Sequence, residues 1–285
     1  MPAGVQEGAT GAYYDALAAW TAVARRLGYG GGRGELTVHR ALADPAAGGR
    51  PTVTRIHDLL ANALPLESLQ HVLDAGCGMG GTMIALAARC RARFMGVTLS
   101  PGQTEIGRRA IARLDLANRV EIRAQRYDEP PAARFDAVVA IESLAHSQGP
   151  KASVRALAAH LDPGGWLAIV DDMPLPAARG TGDLDLFQRG WRLPVLLGTA
   201  EWPATLRECG FEVAVDRDLS ADLRPRSLAR IATLERMNAW LRRAAPTAAA
   251  RRLLDSYRGG LALERLYRAG LMSYRLLVAR KLEVV

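Results

Sequence analysis

From about residue 70 to 175 the chain alternates short apolar runs with longer stretches whose apolar positions recur every three or four residues. A short apolar run between turn signals reads as a buried strand, and a three-to-four repeat reads as a helix with one face on a core. Strands are therefore expected at His71–Asp74, Phe94–Leu99, Val120–Ala124, Phe135–Ile141 and Trp166–Asp171. Helices are expected between them, at Thr82–Arg89, Pro101–Leu116 and Lys151–Leu161. Units that alternate in this way pair their strands in parallel and cover both sheet faces with helices. Further on, Trp202–Cys209 is helical in pattern and Phe211–Val215 reads as a strand. Leu223–Ala269 reads as arginine-rich helix divided at Ala244-Ala245-Pro246, and Met272–Arg280 alternates enough for a last strand. Ahead of this unit, Tyr13–Leu27 places Leu17, Trp20, Val23, Ala24 and Leu27 on one helical face. A glycine-rich loop follows at 28–34, then a second amphipathic helix over Val53–Ala63 that Pro65 ends. The pattern divides into an amino-terminal helical cap (1–65) and an α/β domain (66–285) with seven strands, mostly parallel, and a helical insert at about 220–270 between the last two.

Asp74-x-Gly76-x-Gly78-x-Gly80 lies where the first of these strands gives way to a helix. Glycines there let the backbone turn tightly and approach a ligand without a Cβ in the way, and the free N–H groups of a helix start add favourable polarity. A dinucleotide site uses a similar turn. Two features point elsewhere. The carboxylate at the strand end suits the cationic amino group of a methionine moiety better than a pyrophosphate. The end of the second strand also lacks the acid that would hold an NAD ribose.

The glycine turn, Phe135-Asp136-Ala137-Val138-Val139-Ala140 and Leu161-Asp162-Pro163-Gly164-Gly165-Trp166 together resemble class I S-adenosylmethionine-dependent methyltransferases. That resemblance implies a Rossmann-like fold and S-adenosylmethionine as cofactor. It places Asp74, Gly76, Cys77, Gly78, Gly80, Leu99 and Ile141 around it. Gly96-Val97-Thr98-Leu99-Ser100-Pro101-Gly102-Gln103 and Ala140-Ile141-Glu142-Ser143-Leu144-Ala145-His146-Ser147 are similar to segments of the sterol and tocopherol C-methyltransferases. Most class I enzymes hold the ribose with an acid at the Thr98 position; here the resemblance gives that work to Thr98 and Gln103. One departure follows the third strand. Related enzymes place an acid near Arg126 to meet the adenine amino group, and an arginine cannot accept that hydrogen bond. The amide oxygen of Gln125 or backbone groups are left for it.

Methyl transfer from a sulfonium is an in-line displacement. Positioning alone supplies roughly 7–11 kcal/mol of such a barrier in favourable cases. An oxygen or nitrogen acceptor adds the need for a base, and an alkene acceptor the need to stabilise a cation. Glu142 and His146 follow the fourth strand, four apart, so on a helical turn they would share a face. Either is a candidate base. Tyr14, on the cap helix, is a candidate to touch the acceptor. Asp171 and Asp172 end the fifth strand, one facing the acceptor and the other at the surface or capping a turn. Trp191, Trp202 and Trp240 are candidate apolar walls. Arg33, His39 and Arg40 flank the glycine loop and offer an anionic head group a partner, although Arg33 and Arg40 read better as solvated side chains. The preferred acceptor is a small, largely apolar, terpenoid-like molecule methylated at carbon; the alternative is O- or N-methylation of a specialised metabolite.

Composition adds exclusions. The 285 residues suffice for one large domain or one domain with a cap. The formal charge is +8, and Lys151 and Lys281 are the only lysines beside many arginines, a bias that reads as the imprint of GC-rich coding. The arginines are scattered through every expected helix, unlike the clustered footprint of a nucleic-acid binder. Cys77, Cys90 and Cys209 have no metal-ligand spacing, and no metal site is expected. An odd cysteine count, the lack of a secretion pattern over Met1–Thr10 and the lack of any apolar run near the roughly 18 residues of a membrane span point to a cytoplasmic enzyme. A small-molecule partner is expected, and a homo-oligomer is left open.

Overall fold

Apolar strands bordered by amphipathic helices assemble as the periodicity requires. The structure is a computed structural model that describes residues 36–129 and 133–283. The helix expected over Tyr13–Leu27, with Tyr14 and Trp20, lies outside the described residues, as does Arg33. In chain order come a short hairpin of β1 (Leu42–Asp44) and β2 (Arg50–Thr52), α1 (Thr54–Ala63), β3 (His71–Ala75), α2 (Gly81–Ala87), β4 (Arg93–Thr98), α3 (Pro101–Arg113), β5 (Val120–Ala124) and β6 (Phe135–Ile141). Then follow α4 (Pro150–His160), β7 (Leu161–Pro174), α5 (Gly182–Trp191), α6 (Glu201–Glu208), β8 (Phe211–Asp218), α7 (Leu228–Ala244), α8 (Ala248–Arg268) and β9 (Met272–Lys281). Strands β3 to β9 form one sheet in the order β5-β4-β3-β6-β7-β9-β8. Pairing is parallel from β5 to β7, and β9 enters antiparallel between β7 and β8. This is a mostly parallel, seven-stranded Rossmann-like sheet with a helical insert, α7 and α8, between the last two strands.

Successive side chains of each strand go to opposite faces. Val72, Phe94, Val139, Val170 and Val278 pack on Ile56, Leu60, Met83 and Leu86 of α1 and α2. Their neighbours Leu73, Val97, Val138, Ala140 and Ile169 pack on Val154, Leu157, Trp202 and Leu206 of α4 and α6. Each such large aliphatic side chain contributes about 1.5–3 kcal/mol on leaving water. A third cluster, with Leu184 and Phe187 of α5, Leu193, Leu196, and Leu263 and Leu266 of α8, lies off the sheet. There α5 and α8 cross closely: a Cβ added at Gly190 would come within 2.8 Å of Gly259 Cα. That approach sets Trp191 and Tyr267 over the carboxyl edge of the sheet.

Most element ends fall where local chemistry places them. Ser100 caps α3, its Oγ accepting from the Gln103 N–H at 3.0 Å, with Pro101 opening the helix. Thr181, Ser227 and Thr247 cap α5, α7 and α8 in the same way. The insert breaks at 245–247 because Pro246 has no N–H to continue a helix. Differences from the pattern are local. β7 is longer than expected, since Leu161 already pairs with Phe135 and Met173 and Pro174 pair with Ser273 and Met272. β8 extends to Asp218 along β9, with a bulge between Val213 and Val215. The hairpin β1–β2 and helix α5 were not expected: three-residue strands are too short to show a period.

Candidate active site

The glycine turn sits at the carboxyl edge, with Asp74 in register with Gly96 on one side and Val139 on the other. Gly76, Gly78 and Gly80 have φ of 93°, 55° and 84°, a region other residues enter with strain. The N–H groups of Gly76 and Cys77 both donate to Val97 O at 3.0 Å, which fixes the turn to β4. Ser143 Oγ donates to Ala75 O at 2.6 Å and closes the turn from the β6 side. A Cβ on Gly76 would lie 2.4 Å from Ser143 Cβ. Asp74 is 4% exposed, its Oδ2 has no hydrogen-bond partner among the described residues, and burial pushes its carboxyl up to about 7. A buried carboxylate oxygen left unpaired beside this glycine turn fits a cationic ligand group such as the methionine ammonium of S-adenosylmethionine. Cys77 packs against Gly96, and burial pushes its thiol well up, so it is inert filling for the turn.

The next strand end brings together two more expected residues. Thr98 Oγ1 donates to Gln103 Oε1 at 2.8 Å, and both side chains are buried. Leu99 and Ile141 are half-buried at the ends of β4 and β6. The Gln125 N–H donates to Thr98 O at 2.9 Å and carries the β4–β5 pairing one step further. Arg126 is turned onto its own loop: its Nε donates to Asp128 Oδ1 at 2.8 Å, and Glu129 lies 3.6 Å away. The acid of this loop, Asp128, is thus paired with Arg126.

Glu142 is the centre of the second half of the site. It has φ of 48°, which costs a non-glycine residue about 1–3 kcal/mol and marks functional positions. It precedes the 3-10 turn Leu144–His146 and is not part of it, so Glu142 and His146 do not share a helical face. That expectation fails because the backbone reverses at Glu142 before the turn begins. Glu142 Oε1 accepts from Tyr274 OH at 2.7 Å and from the Arg40 N–H at 3.0 Å, with Arg40 Nε 3.9 Å off. The Arg40 guanidinium donates to Asp172 from Nε at 3.2 Å and from Nη2 at 2.7 Å, and Tyr267 OH donates to the same carboxylate. The cation faces the rings of Trp191, Tyr267 and Tyr274 at 5.5, 5.7 and 5.8 Å. Burial raises the Glu142 carboxyl and Asp172 adds to the rise, whereas Arg40 and Tyr274 lower it; the net direction is up. Burial opposes the charge on Arg40, but Asp172 and Glu142 more than offset it.

Several expectations are corrected here. Arg40 is not solvated; it is the cation of a buried cluster. Neither Asp171 nor Asp172 is at the surface. Asp171 accepts from the Ala145 N–H at 3.1 Å and from the Asp172 N–H at 2.9 Å, and burial holds its carboxyl well above the usual range. Trp202 is core at 2% exposed and Trp240 is 67% exposed, so of the three only Trp191 borders the cluster, with its ring against Arg40. His146 is half-buried, and burial lowers it to about 4, leaving it neutral at pH 7. His39 faces inward, its Nε2 3.2 Å from His57 Nε2. Tyr267 and Tyr274 were not singled out by the sequence; the alternation of β9 puts Tyr274 inward, and nothing local marks Tyr267.

A strand-end carboxylate under a glycine turn, a Thr–Gln pair at the next strand end and a half-buried acid at the fourth define the class: an S-adenosylmethionine-dependent methyltransferase. The comparisons agree. Residues 53–169 match the mycolic acid cyclopropane synthetase family. The 27-O-demethylrifamycin SV methyltransferase of Amycolatopsis mediterranei (strain S699) is 33% identical over 67% of this chain and 72% of its own. Geranyl diphosphate C-methyltransferase from Streptomyces coelicolor A3(2) superposes with a TM-score of 0.70 at 17% identity, over 97% of each chain. The cyclase SpnF superposes with a TM-score of 0.72 at 22% identity, over 96% of each chain. At such identity these two structures are alike in fold. The chain belongs to the S-adenosylmethionine-dependent methyltransferases of small molecules.

Proposed function

We propose that this enzyme methylates a hydroxyl oxygen of a neutral, largely apolar, polyketide-like molecule, with Glu142 receiving the hydroxyl proton. The charge balance of the cluster carries this reading. Glu142 and Asp172 flank one arginine, Arg40, two carboxyl groups to one cation. A wall of that sign repels a diphosphate and suits a neutral acceptor. Asp74, Thr98 and Gln103 would hold S-adenosylmethionine, which supplies an electrophilic methyl for in-line displacement. Glu142, raised by burial, accepts a proton more readily than an ordinary carboxylate does. The Amycolatopsis relative, named for an O-demethylated rifamycin, supports oxygen as the acceptor atom. The aromatic faces of Trp191, Tyr267 and Tyr274 favour the second reading, carbon methylation of a terpenoid-like alkene, because they would stabilise a carbocation.

The test uses S-adenosylmethionine with a carbon-13 methyl and two probe acceptors, 1,4-dihydroxynaphthalene and geranyl diphosphate. A methoxyl signal on the first supports the reading. Methylation of geranyl diphosphate at carbon, with none at oxygen, overturns it in favour of the second. Glu142→Gln should retain S-adenosylhomocysteine binding and lose turnover; undiminished turnover removes Glu142 from the chemistry.

A further inference from the structure

The segment 36–40 is a strap that touches both halves of the site. A Cβ at Gly81, the first residue of α2, would meet Thr37 Oγ1 at 2.3 Å, and one at Gly78 would meet Val38 Cγ2 at 3.8 Å. His39 is clasped by His57 from α1, and its Nδ1–H donates to Arg40 O at 3.1 Å. The next residue, Arg40, reaches the acceptor half. Its backbone N–H and the Tyr274 hydroxyl both donate to Glu142 Oε1, and among the described residues no such bond falls on Oε2. Its guanidinium stands between Glu142 and Asp172, in a pocket of three aromatic rings.

We propose that Arg40 is a positioning residue: it holds the Glu142 carboxylate ionised and in one orientation, with Oε1 clasped and Oε2 left for the acceptor. The inference rests on the reading of Glu142 as the proton acceptor, and it names what sets that acceptor. Among the described residues, the groups facing Glu142 are Arg40 from the strap, Asp171 and Asp172 from β7, Tyr267 from α8 and Tyr274 from β9. Arg40 is the one cation among them. Without it, two buried carboxylates face each other with no charge between them, and one takes a proton. An arginine suits this place because its planar fork meets Asp172 with two N–H groups while its face lies on the rings; a lysine offers the charge alone.

The experiment reads the carboxylate itself and needs no acceptor. Protein labelled at the glutamate side-chain carboxyl carbon and saturated with S-adenosylhomocysteine is titrated from pH 5 to 9 by NMR. The resonance missing in Glu142→Gln belongs to Glu142. Arg40→Met should shift its titration upward by at least tenfold in the ionisation constant, and Arg40→Lys should return most of that shift. Arg40→Gln, a milder change, is titrated in the same way in case the methionine variant does not fold. A Glu142 titration unmoved in whichever variant folds overturns the proposal. Failure of the oxygen-methylation reading is separate: it shows as carbon methylation of geranyl diphosphate, and failure of Glu142 as proton acceptor shows as undiminished turnover by Glu142→Gln, and neither touches this titration.

Discussion

If Asp74 meets the ammonium of S-adenosylmethionine, as proposed, cofactor binding should be a proton-linked event. Its carboxyl is buried, has an unpaired Oδ2 and is held at about 7. A cationic ammonium pairs only with the ionised form, so at pH 6.5, where about three-quarters of the free protein carries the proton, binding should release a similar fraction of a proton. Affinity should fall about tenfold between pH 8 and pH 6 by the same linkage. The sign for stability is opposite to that of an ordinary surface carboxylate. The folded value lies above the unfolded one near 4, so the group destabilises the free protein increasingly as pH rises from about 4 to 7, and the penalty stays beyond. A shift of about three units corresponds to about 4 kcal/mol at most. Asp74→Asn should therefore stabilise the free protein at pH 8, by about 1–3 kcal/mol once the amide's own burial is counted. It should also weaken S-adenosylhomocysteine by about 10–100-fold through the lost charge-assisted bond. Calorimetry in two buffers of different ionisation enthalpy counts the protons, and thermal melts follow the stability. No proton release at pH 6.5, together with a destabilised asparagine variant, would refute the reasoning.

Two further outcomes follow from the geometry. Gly76→Ala should destabilise the protein by more than about 2 kcal/mol and abolish S-adenosylhomocysteine binding, because the added Cβ meets Ser143 Cβ at 2.4 Å and the residue has φ of 93°; an alanine variant that melts and binds like the parent would show that the turn yields freely. His39 and His57 are lowered to about 3 and about 4 by burial, with each other's or neighbouring charges adding to it. Their folded values lie below the unfolded one near 6.5, so the stability they support is present above pH 6.5 and is lost progressively as pH falls toward 4. Melting temperature should track that window, and His57→Gln should flatten the slope; an unchanged slope would assign the acid sensitivity to other groups.

The sheet was legible because its strands are apolar on both faces and their helices carry a clear three-to-four repeat. The cofactor turn was legible because glycines at 76, 78 and 80 are required by the backbone and leave a mark in the chain. The acceptor cluster was not. Its members come from positions 40, 142, 172, 191, 267 and 274, each in a different element, and what joins them is the crossing of α5 with α8 and the entry of β9. Arg40 looks like any other arginine in a chain full of them; its burial is decided by partners more than a hundred residues away. The helical relation assumed between Glu142 and His146 failed because a residue in a left-handed conformation stands between strand and turn, and an unstrained reading of spacing does not anticipate that. Thr98 and Gln103, by contrast, lie within one strand-to-helix corner, so their pairing at 2.8 Å follows from local geometry.

The antiparallel strand β9 has a consequence for the order in which a working enzyme comes into being. Met272 pairs with Pro174 and Arg280 with Trp166 on one side, while Lys281 pairs with Phe211 on the other, so β9 can be laid down only after all of the insert has been made. During synthesis the five parallel strands and the glycine turn are complete long before that. Tyr274, which holds Glu142, arrives with β9. A nascent or truncated chain lacking β9 should thus gather the cofactor half without a set acceptor half, and the ability to bind the methyl donor should appear earlier on the ribosome than the ability to use it.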